Sequence, residues 1–315
     1  MKIVFLDSES VGAVELDAIK QFGELICVDT LTAKQNLPEL TQHADILISN
    51  KVLLQQDTLA NCKNLKLICV AATGYNNIDL PAAQKQGIAV TNVAGYSTNS
   101  VAQHVFAMLL NWSIQLQAYQ TASQNGQWLS SPLFCLLDYP IFELQGKTLA
   151  LFGYGTIAQA VEKIALAFGM NVIIAERQYA PEPRAGRISY QDAIQQADVI
   201  SLHCPLTRDS EQMVDDEFIR LMKKDAILVN TARGGLINET ALANALQQGR
   251  IQAALLDGLS QEPPSLNNPL LVPQANLQIT PHTAWASQQA RQTLVNEIAK
   301  NIDAFMQGEH RNRIC

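Results

Sequence analysis

The segment NLQITPHTAWAS, residues 276–287, places His282 directly after a proline, where an apolar run that alternates like a strand gives way to a loop. An imidazole held at such a junction is either a hydrogen-bonded loop residue or an acid–base group facing a cleft. Two other strand ends carry charged groups of complementary type. AILVNTARGGLINE sets Arg233 after an apolar run with Gly234 and Gly235 behind it. The glycines free the backbone to turn, and a planar guanidinium suits a carboxylate; the alternative is an ion pair at a helix terminus or on the surface. IQAALLDGLSQEPP ends a strand at Asp257 and puts Glu262 before two prolines. Taken singly, each of these carboxylates reads as a loop or cap residue.

The stretch KTLALFGYGTIAQAVEKIALAFGMNVIIAER says more. An apolar strand runs into Gly153-Tyr154-Gly155, a helical pattern follows at once, and a second strand ends in Glu176. Gly153 permits a tight turn, Gly155 lets the backbone approach a pyrophosphate, and Ala158 allows helix to pack on strand. The N–H groups of Thr156 and Ile157 at the helix start would face the anion. Glu176 lies about 20 residues on, the interval at which an acid accepts hydrogen bonds from a ribose diol and repels a 2′-phosphate. This favours NAD over NADP. Arg177 leaves NADP open as a second coenzyme, since its guanidinium could bind the 2′-phosphate, stack on the adenine or face solvent.

Short apolar runs alternate with helical patterns along the whole chain, as positioning elements for these groups. The expected strands are KIVFLD, ELICVD, ADILISN, KLICVAA and IAVTN, then KTLALFG, NVIIAE, DVISLH, AILVN, IQAALLD and LQIT. Helical periodicity marks Glu15 to Phe22, Val161 to Phe168 and Glu239 to Gln247. That alternation predicts an α/β protein with parallel sheets and crossover helices. After GYSTNS, which offers N-cap candidates, VAQHVFAMLLNWSIQLQAYQTAS (101–123) reads as one helix of about six turns, and a final helix runs from about Ser287 to Met306. The expected division is therefore one domain from residues 1–98 and 287–315, with 99–286 inserted. SPLFCLLDYPIFELQG (131–146) is unusually apolar for a connection. It either packs under the middle domain or forms an arm facing a partner, and the size of the patch favours the arm.

With 315 residues, 48% hydrophobic and 16% charged, the chain suits two globular domains and not a disordered segment. Its formal charge of -7 argues against nucleic acid or an anionic membrane as partner. Cys27, Cys62, Cys69, Cys135, Cys204 and Cys315 are scattered and never spaced CxxC, which suggests a reducing compartment. MKIVFLDSES lacks the features of a signal peptide, and no stretch has the apolar length to span a bilayer, so a cytoplasmic location is expected. No His, Cys or carboxylate group has metal-site spacing.

Taken together, GYGTIAQAV, HCPLT, NTARGGLI, LDGLSQEPP and PHTAWAS resemble the NAD-dependent D-2-hydroxyacid dehydrogenases over nearly the whole chain. VAATGYNNIDL and TNVAGYSTNSVAQHVFAMLL are similar to the glycerate dehydrogenase, or hydroxypyruvate reductase, branch. The resemblance implies a Rossmann dinucleotide-binding domain inserted into a flavodoxin-like substrate domain, and a catalytic set of Arg233, Glu262 and His282. Reducing a 2-oxo acid needs a hydride at carbon and a proton at oxygen; His282 would supply the proton, and Glu262 beside it would orient the ring and favour its charged form. Arg233 would hold the substrate carboxylate. Further cofactor contacts implied are His203, Cys204 and Pro205 on the adenosine side, Thr231 and Ala232 before the arginine, and Asp257 and Ala284 toward the carboxamide.

On the substrate side, the N–H groups around Thr73 and Gly74 could form an anion nest with Lys51 as a nearby cation, though Lys51 also reads as a solvated lysine. Trp285 and Ser287 would shape the space around the substrate's C3 group, a hydroxyl there favouring hydroxypyruvate over pyruvate. His43, His104 and His310 have no acidic partner in a recognisable motif and are expected to be structural or exposed.

Ala94 and Gly258 depart from the family's pattern, as does Arg208 in HCPLTRDS; Gly258, where a branched residue is frequent, would loosen the strand end beneath Asp257. Glu262 argues against a formate-specific relative. The expected activity is interconversion of a small D-2-hydroxy acid and its 2-oxo acid, D-glycerate and hydroxypyruvate first and glyoxylate second, by a homodimer. The alternative is a non-enzymatic NADH-sensing scaffold of the co-repressor type, disfavoured because such scaffolds carry disordered tails.

Overall fold

Eleven short runs rich in Val, Ile, Leu and Ala form strands, every one where the sequence places it. The computed structural model describes residues 1–315 and divides into two compact units, Met1–Ser97 with Trp285–Cys315, and Thr98–Ala284.

In the first unit, β1 (Lys2–Phe5), β2 (Glu24–Cys27), β3 (Ile46–Ser49), β4 (Leu67–Val70) and β5 (Ala89–Thr91) make a parallel sheet in the order β2-β1-β3-β4-β5. This is the flavodoxin-like doubly wound order. Successive strand residues point to opposite faces, and here both faces are buried. Ile3, Phe5, Ile46, Ile48, Leu67 and Cys69 pack into one core, whereas Val4, Leu6, Leu47, Ile68 and Val70 pack into the other. The first core is closed by the C-terminal helix Gln288–Met306, whose Leu294, Val295, Ile298 and Ile302 are fully buried. Their spacing of one, three and four residues is the helical stripe that such a face requires. The exposed edge of β5 is covered by the chain's last residues: Arg313 pairs antiparallel with Thr91, and the Ile314 N–H donates to Val90 O at 2.7 Å. Covering an edge in this way removes a template for unwanted strand pairing.

In the second unit, β6 (Thr148–Phe152), β7 (Asn171–Ala175), β8 (Val199–Leu202), β9 (Ile227–Asn230), β10 (Ala253–Asp257) and β11 (Leu277–Thr280) form a parallel sheet in the order β11-β10-β9-β8-β6-β7. Beyond β7 a single parallel bridge joins Ala175 to Ile188, with Glu176 N–H donating to Ile188 O and Ile188 N–H to Ile174 O. Counted as a residual strand, that rung completes the dinucleotide-binding order 3-2-1-4-5-6 with one strand added. The faces again sort by alternation: Ala150, Phe152, Ile200, Leu202, Leu228, Ala254 and Leu256 on one side, Leu149, Leu151, Val199, Ile227, Val229, Ala253 and Leu255 on the other.

The helix expected over residues 101–123 is two helices, Thr98–Ile114 and Leu116–Gln124. Gln115 between them is left-handed (φ 52°), and its side-chain amide donates to Trp112 O at 2.9 Å. The final helix begins at Gln288, with Ser287 as its N-cap. The apolar connection after residue 126 does not pack under the second unit over most of its length: Leu129, Phe134 and Leu137 are each at least 78% exposed, and the chain docks again from Tyr139, edge-on to Tyr119, through Phe142 and Leu144. No helix is long and apolar enough to cross a membrane.

Truncating Ile298 to Ala removes fully buried methyl and methylene groups under the first sheet. The expected loss is about 2–5 kcal/mol, read as a lowered urea midpoint by circular dichroism; a change below ~0.5 kcal/mol would mean that this helix face does not carry the core.

Candidate active site

Parallel pairing puts the C-terminal ends of all six strands of the second sheet on one edge, where open α/β sheets bind ligands. Gly153 follows β6 on that edge, His203 follows β8, Thr231 to Arg233 follow β9, and Asp257 ends β10. His282 follows β11 by two residues.

His282 has a left-handed backbone (φ 54°), uncommon for a residue with a Cβ. The buried Asp257 carboxylate holds the turn that imposes it, accepting from the Thr280 hydroxyl (2.7 Å), the Thr283 N–H (2.8 Å) and the Ala284 N–H (2.8 Å). The ring then lies with Nδ1 2.6 Å from Glu262 Oε2. Histidine and glutamate, 20 residues apart in sequence, form a close acid–base pair.

His104 Nε2, from the helix Thr98–Ile114, is 2.9 Å from Thr280 Oγ1 and 3.7 Å from Asp257 Oδ1. The expectation that His104 has no acidic partner is thus corrected: the acid is supplied from 153 positions away by the end of β10. The two oxygens of Asp257 accept from three of the chain's own donors, which fixes the backbone of Thr283 and Ala284.

Three glycines permit close backbone approaches. Gly153 has φ 90°, and a Cβ there would lie 2.6 Å from Cys204 N and 2.7 Å from the carbonyl carbon and oxygen of His203. Only glycine lets the ends of β6 and β8 meet so closely. At Gly234 a Cβ would collide with the backbone of Leu259 and Ser260, so the Arg233 turn lies directly against the loop carrying Glu262. Gly258 has φ 108°, and a Cβ there would meet Glu262 Oε1 and approach His282 Nδ1 to 3.6 Å. Its lack of a side chain makes room for the Glu262 carboxylate; the expectation that it merely loosens the strand end gives way to that role.

Arg233 is exposed; its Nη1 donates to Ala232 O at 2.6 Å, and its own carbonyl accepts from the Asn230 side-chain amide. Thr231 Oγ1 is buried with no hydrogen-bond partner in the protein. Such an orphan hydroxyl beside the glycine turn fits a polar ligand that the chain does not itself supply. Gly155 is the N-cap of the helix Thr156–Ala167, offers no side-chain cap, and has open space where its Cβ would be. First-turn N–H groups left in this way suit an anion. These two observations fit the dinucleotide expected from the sequence.

After β8, His203 donates its N–H to Phe152 O, and its Nε2 is 2.9 Å from Ser201 Oγ. Loss of solvent around the ring pushes its pKa down to about 4, so it is a neutral group near neutral pH. Cys204 Sγ rests 3.7 Å from Met213 Sδ, and Pro205 O accepts from Ser210 Oγ. Glu176, at the end of β7, is buried and engaged by Arg184, eight residues on, which the sequence reading did not single out. That ion pair holds its carboxyl well below the usual carboxylate range. A cavity of about 230 Å³ adjoins Glu176 and Arg177, lined also by Tyr190 and Phe218.

In the first unit, the pairing of Ser49 with Val70 brings Lys51 and the 72–74 turn to the same sheet edge. The Asp7 carboxylate, fully buried at the end of β1, accepts from the N–H groups of Asn50, Lys51 and Val52 and fixes the turn that carries Lys51. Burial pushes its carboxyl up, against the opposing pull of those donors. Thr73 Oγ1 donates to Val93 O at 2.9 Å, and Thr73 O accepts from Asn92 Nδ2, so this residue stabilises its loop, beside a half-buried Gly74. Trp285 packs edge-on to Tyr96 at 6.2 Å. Ser287 Oγ accepts the Ala290 N–H as a helix cap, which accounts for a serine here without a substrate contact. No group of three His, Cys, Asp or Glu side chains is placed to hold a metal ion.

Comparison with known proteins agrees with this geometry. Residues 106–284 match the family described as D-isomer specific 2-hydroxyacid dehydrogenase, NAD binding domain. A putative 2-hydroxyacid dehydrogenase of Haemophilus influenzae is 40% identical over 99% of this chain and 100% of its own length. A glycerate dehydrogenase of Methylorubrum extorquens is 39% identical over 99% of this chain and 98% of its own. The solved structure of the acyclic imino acid reductase Bsp5, in complex with NADPH and D-Arg, superposes with a TM-score of 0.87 at 29% identity, covering all of both chains. A family match over more than half of the chain, together with relatives 39–40% identical over nearly its whole length, makes this chain a member of the D-isomer-specific 2-hydroxyacid dehydrogenase family, NAD-dependent oxidoreductases of 2-hydroxy acids.

Proposed function

We propose that the chain interconverts D-glycerate and hydroxypyruvate with NAD(H), and reduces glyoxylate as a second 2-oxo acid. The observation that carries the reading is the 2.6 Å pairing of His282 Nδ1 with Glu262 Oε2 on the ligand-binding edge of the sheet. The choice of glycerate rests on the glycerate dehydrogenase relative, 39% identical over nearly the whole chain.

The nicotinamide, when bound, supplies or accepts the hydride at the substrate's C2. In the reducing direction His282 delivers a proton from Nε2 to the carbonyl oxygen, and in the oxidising direction it takes the hydroxyl proton. Glu262 fixes the ring's orientation and balances the positive charge of the imidazolium. Arg233 binds the substrate carboxylate through its planar fork and polarises the oxo group. Within the first unit, Lys51 and the N–H groups at Thr73 and Gly74 offer a cation and donors of the kind that suit a carboxylate, and Trp285 is a wall residue. Gly153, Gly155 and the N–H groups of Thr156 and Ile157 would hold the pyrophosphate. Glu176 and Arg177 would meet the adenosine ribose, His203, Cys204 and Pro205 the adenine side, and Thr231, Ala232 and Ala284 the nicotinamide side. Asp257 acts on that side by positioning the backbone.

NADP is a second coenzyme on this reading, since a structural relative binds NADPH. The exposed apolar arm around Leu129, Phe134 and Leu137 is the surface through which two copies associate. Six unpaired cysteines fit a cytoplasmic location.

With hydroxypyruvate and NADH, His282→Gln should lower kcat about 10²–10⁴-fold while NADH binding persists; Glu262→Gln should cause a smaller fall in the same parameter. Arg233→Lys should act mainly on the KM for the oxo acid, since it keeps the charge and loses the fork. NADH binding without turnover of any acid in a panel of 2-oxo acids would leave the scaffold reading standing instead. Light scattering should give a dimer mass for the wild type and a monomer mass for Phe134→Asp combined with Leu137→Asp; an unchanged dimer would place the interface elsewhere.

A further inference from the structure

The acid that ends β7 is not a bare carboxylate. Glu176 Oε1 accepts from the Arg177 N–H at 2.8 Å and from Arg184 Nη2 at 2.5 Å. Oε2 accepts from the Arg184 N–H at 3.0 Å and from Arg184 Nε at 2.7 Å. Four donors thus fill the roughly four lone-pair sites that an ionised carboxylate offers. A ribose diol would have to compete with a bidentate guanidinium for them, and paired forks of this type are among the stronger polar contacts.

The same segment carries an excess of positive charge. Arg187 Nε lies 4.0 Å from Glu176 Oε2, and its Nη1 is tied to Ala175 O. Arg177 is exposed beside it, and the Arg184 side chain is 55% exposed despite its pairing. The Arg184 and Arg187 guanidinium groups therefore lie within 4.0 Å of one carboxylate, and Arg177, next in sequence, is exposed. Glu182 in the same loop and Asp215 and Glu217 across the adjoining cavity do not pair with these arginines. An acid engaged in this way no longer repels a phosphate as a bare carboxylate would, and the arginines beside it offer the planar donors that a phosphate monoester binds best.

We propose that Arg184 sets the coenzyme selectivity of this chain: by occupying Glu176 and presenting its guanidinium beside Arg177 and Arg187, it creates a 2′-phosphate subsite through which NADPH binds alongside NADH. The proposal rests on the coenzyme reading given above and deepens it. Arg184 acts on selectivity at two points. It removes the carboxylate's repulsion of the 2′-phosphate, and it competes with the ribose diol of NADH for the same oxygens.

Isothermal titration of the full chain with NADH, NADPH, 2′,5′-ADP and 5′-AMP tests this without relying on turnover. The wild type should bind NADPH within about tenfold of NADH, and 2′,5′-ADP more tightly than 5′-AMP. Arg184→Ala should weaken NADPH and 2′,5′-ADP by about tenfold or more, the scale of one charge-assisted hydrogen bond, while NADH is unchanged or tighter. Arg184→Lys should recover part of the loss, and Glu176→Gln should shift the preference the other way, toward NADPH. Opposite movements in the two variants cannot arise from a general loss of folding, which circular dichroism on each variant checks. Parallel changes for both dinucleotides, or a wild type that holds NADH and rejects NADPH by more than about a hundredfold, would overturn the assignment of Arg184 alone. A wild type that binds neither dinucleotide would overturn the coenzyme reading as well.

Discussion

The carboxylate of Asp257 gathers a hydroxyl and two consecutive backbone N–H groups from the turn after β11, and the position of His282 follows from that grip. A left-handed backbone at a non-glycine residue costs of the order of 1–3 kcal/mol and persists only where its surroundings over-determine it. Burying an ionised carboxylate is also costly unless its lone pairs are met. At Asp257 the two demands meet each other: the turn supplies the donors that the acid needs, and the acid supplies the anchor that the turn needs. Thr280 extends the arrangement to His104, linking the helix Thr98–Ile114 to the same strand ends.

Around this anchor, the site is assembled by backbone contact more than by side-chain packing. Gly153 lets the ends of β6 and β8 touch, Gly234 lets the arginine turn lie on the loop after β10, and Gly258 clears space for Glu262. None of these glycines bears a reacting atom. Each removes a Cβ that would hold two reacting segments apart, and in a close-packed interior such a displacement passes directly to the neighbours.

The architecture was legible because both sheets are parallel and covered on both faces, so their strands are uninterrupted apolar runs that no surface helix imitates. The glycine loop was legible from its place between a strand and a helix, whereas Glu262 and His282 taken singly read as loop residues and stood out only through the resemblance to known dehydrogenases. What stayed hidden depends on distance or on unusual backbone. The break at Gln115 involves a residue with good helical propensity and is set by its left-handed conformation. His104 meets Asp257 only through the tertiary fold, and the cap that Ser287 Oγ provides by accepting the Ala290 N–H was not foreseen in the sequence. Arg184 lies in PEPRAGR, a loop without periodicity, and was invisible as a partner of Glu176. Its signal would have been the clustering of three arginines just after the strand whose end reads the ribose.

The first unit is made from both ends of the chain, and its helix Gln288–Met306 closes one face of the first sheet only after residues 98–284 have been made. On a ribosome adding about 5–20 residues per second, that interval is roughly ten to forty seconds. Throughout it, Ile3, Phe5, Ile46 and Leu67 have no cover from Leu294 and Ile298, whereas the middle unit emerges as one uninterrupted segment. Vectorial synthesis therefore orders maturation: the coenzyme half can condense first, and the half built from the termini waits, adhesive and incomplete, for a chaperone or for its own last helix.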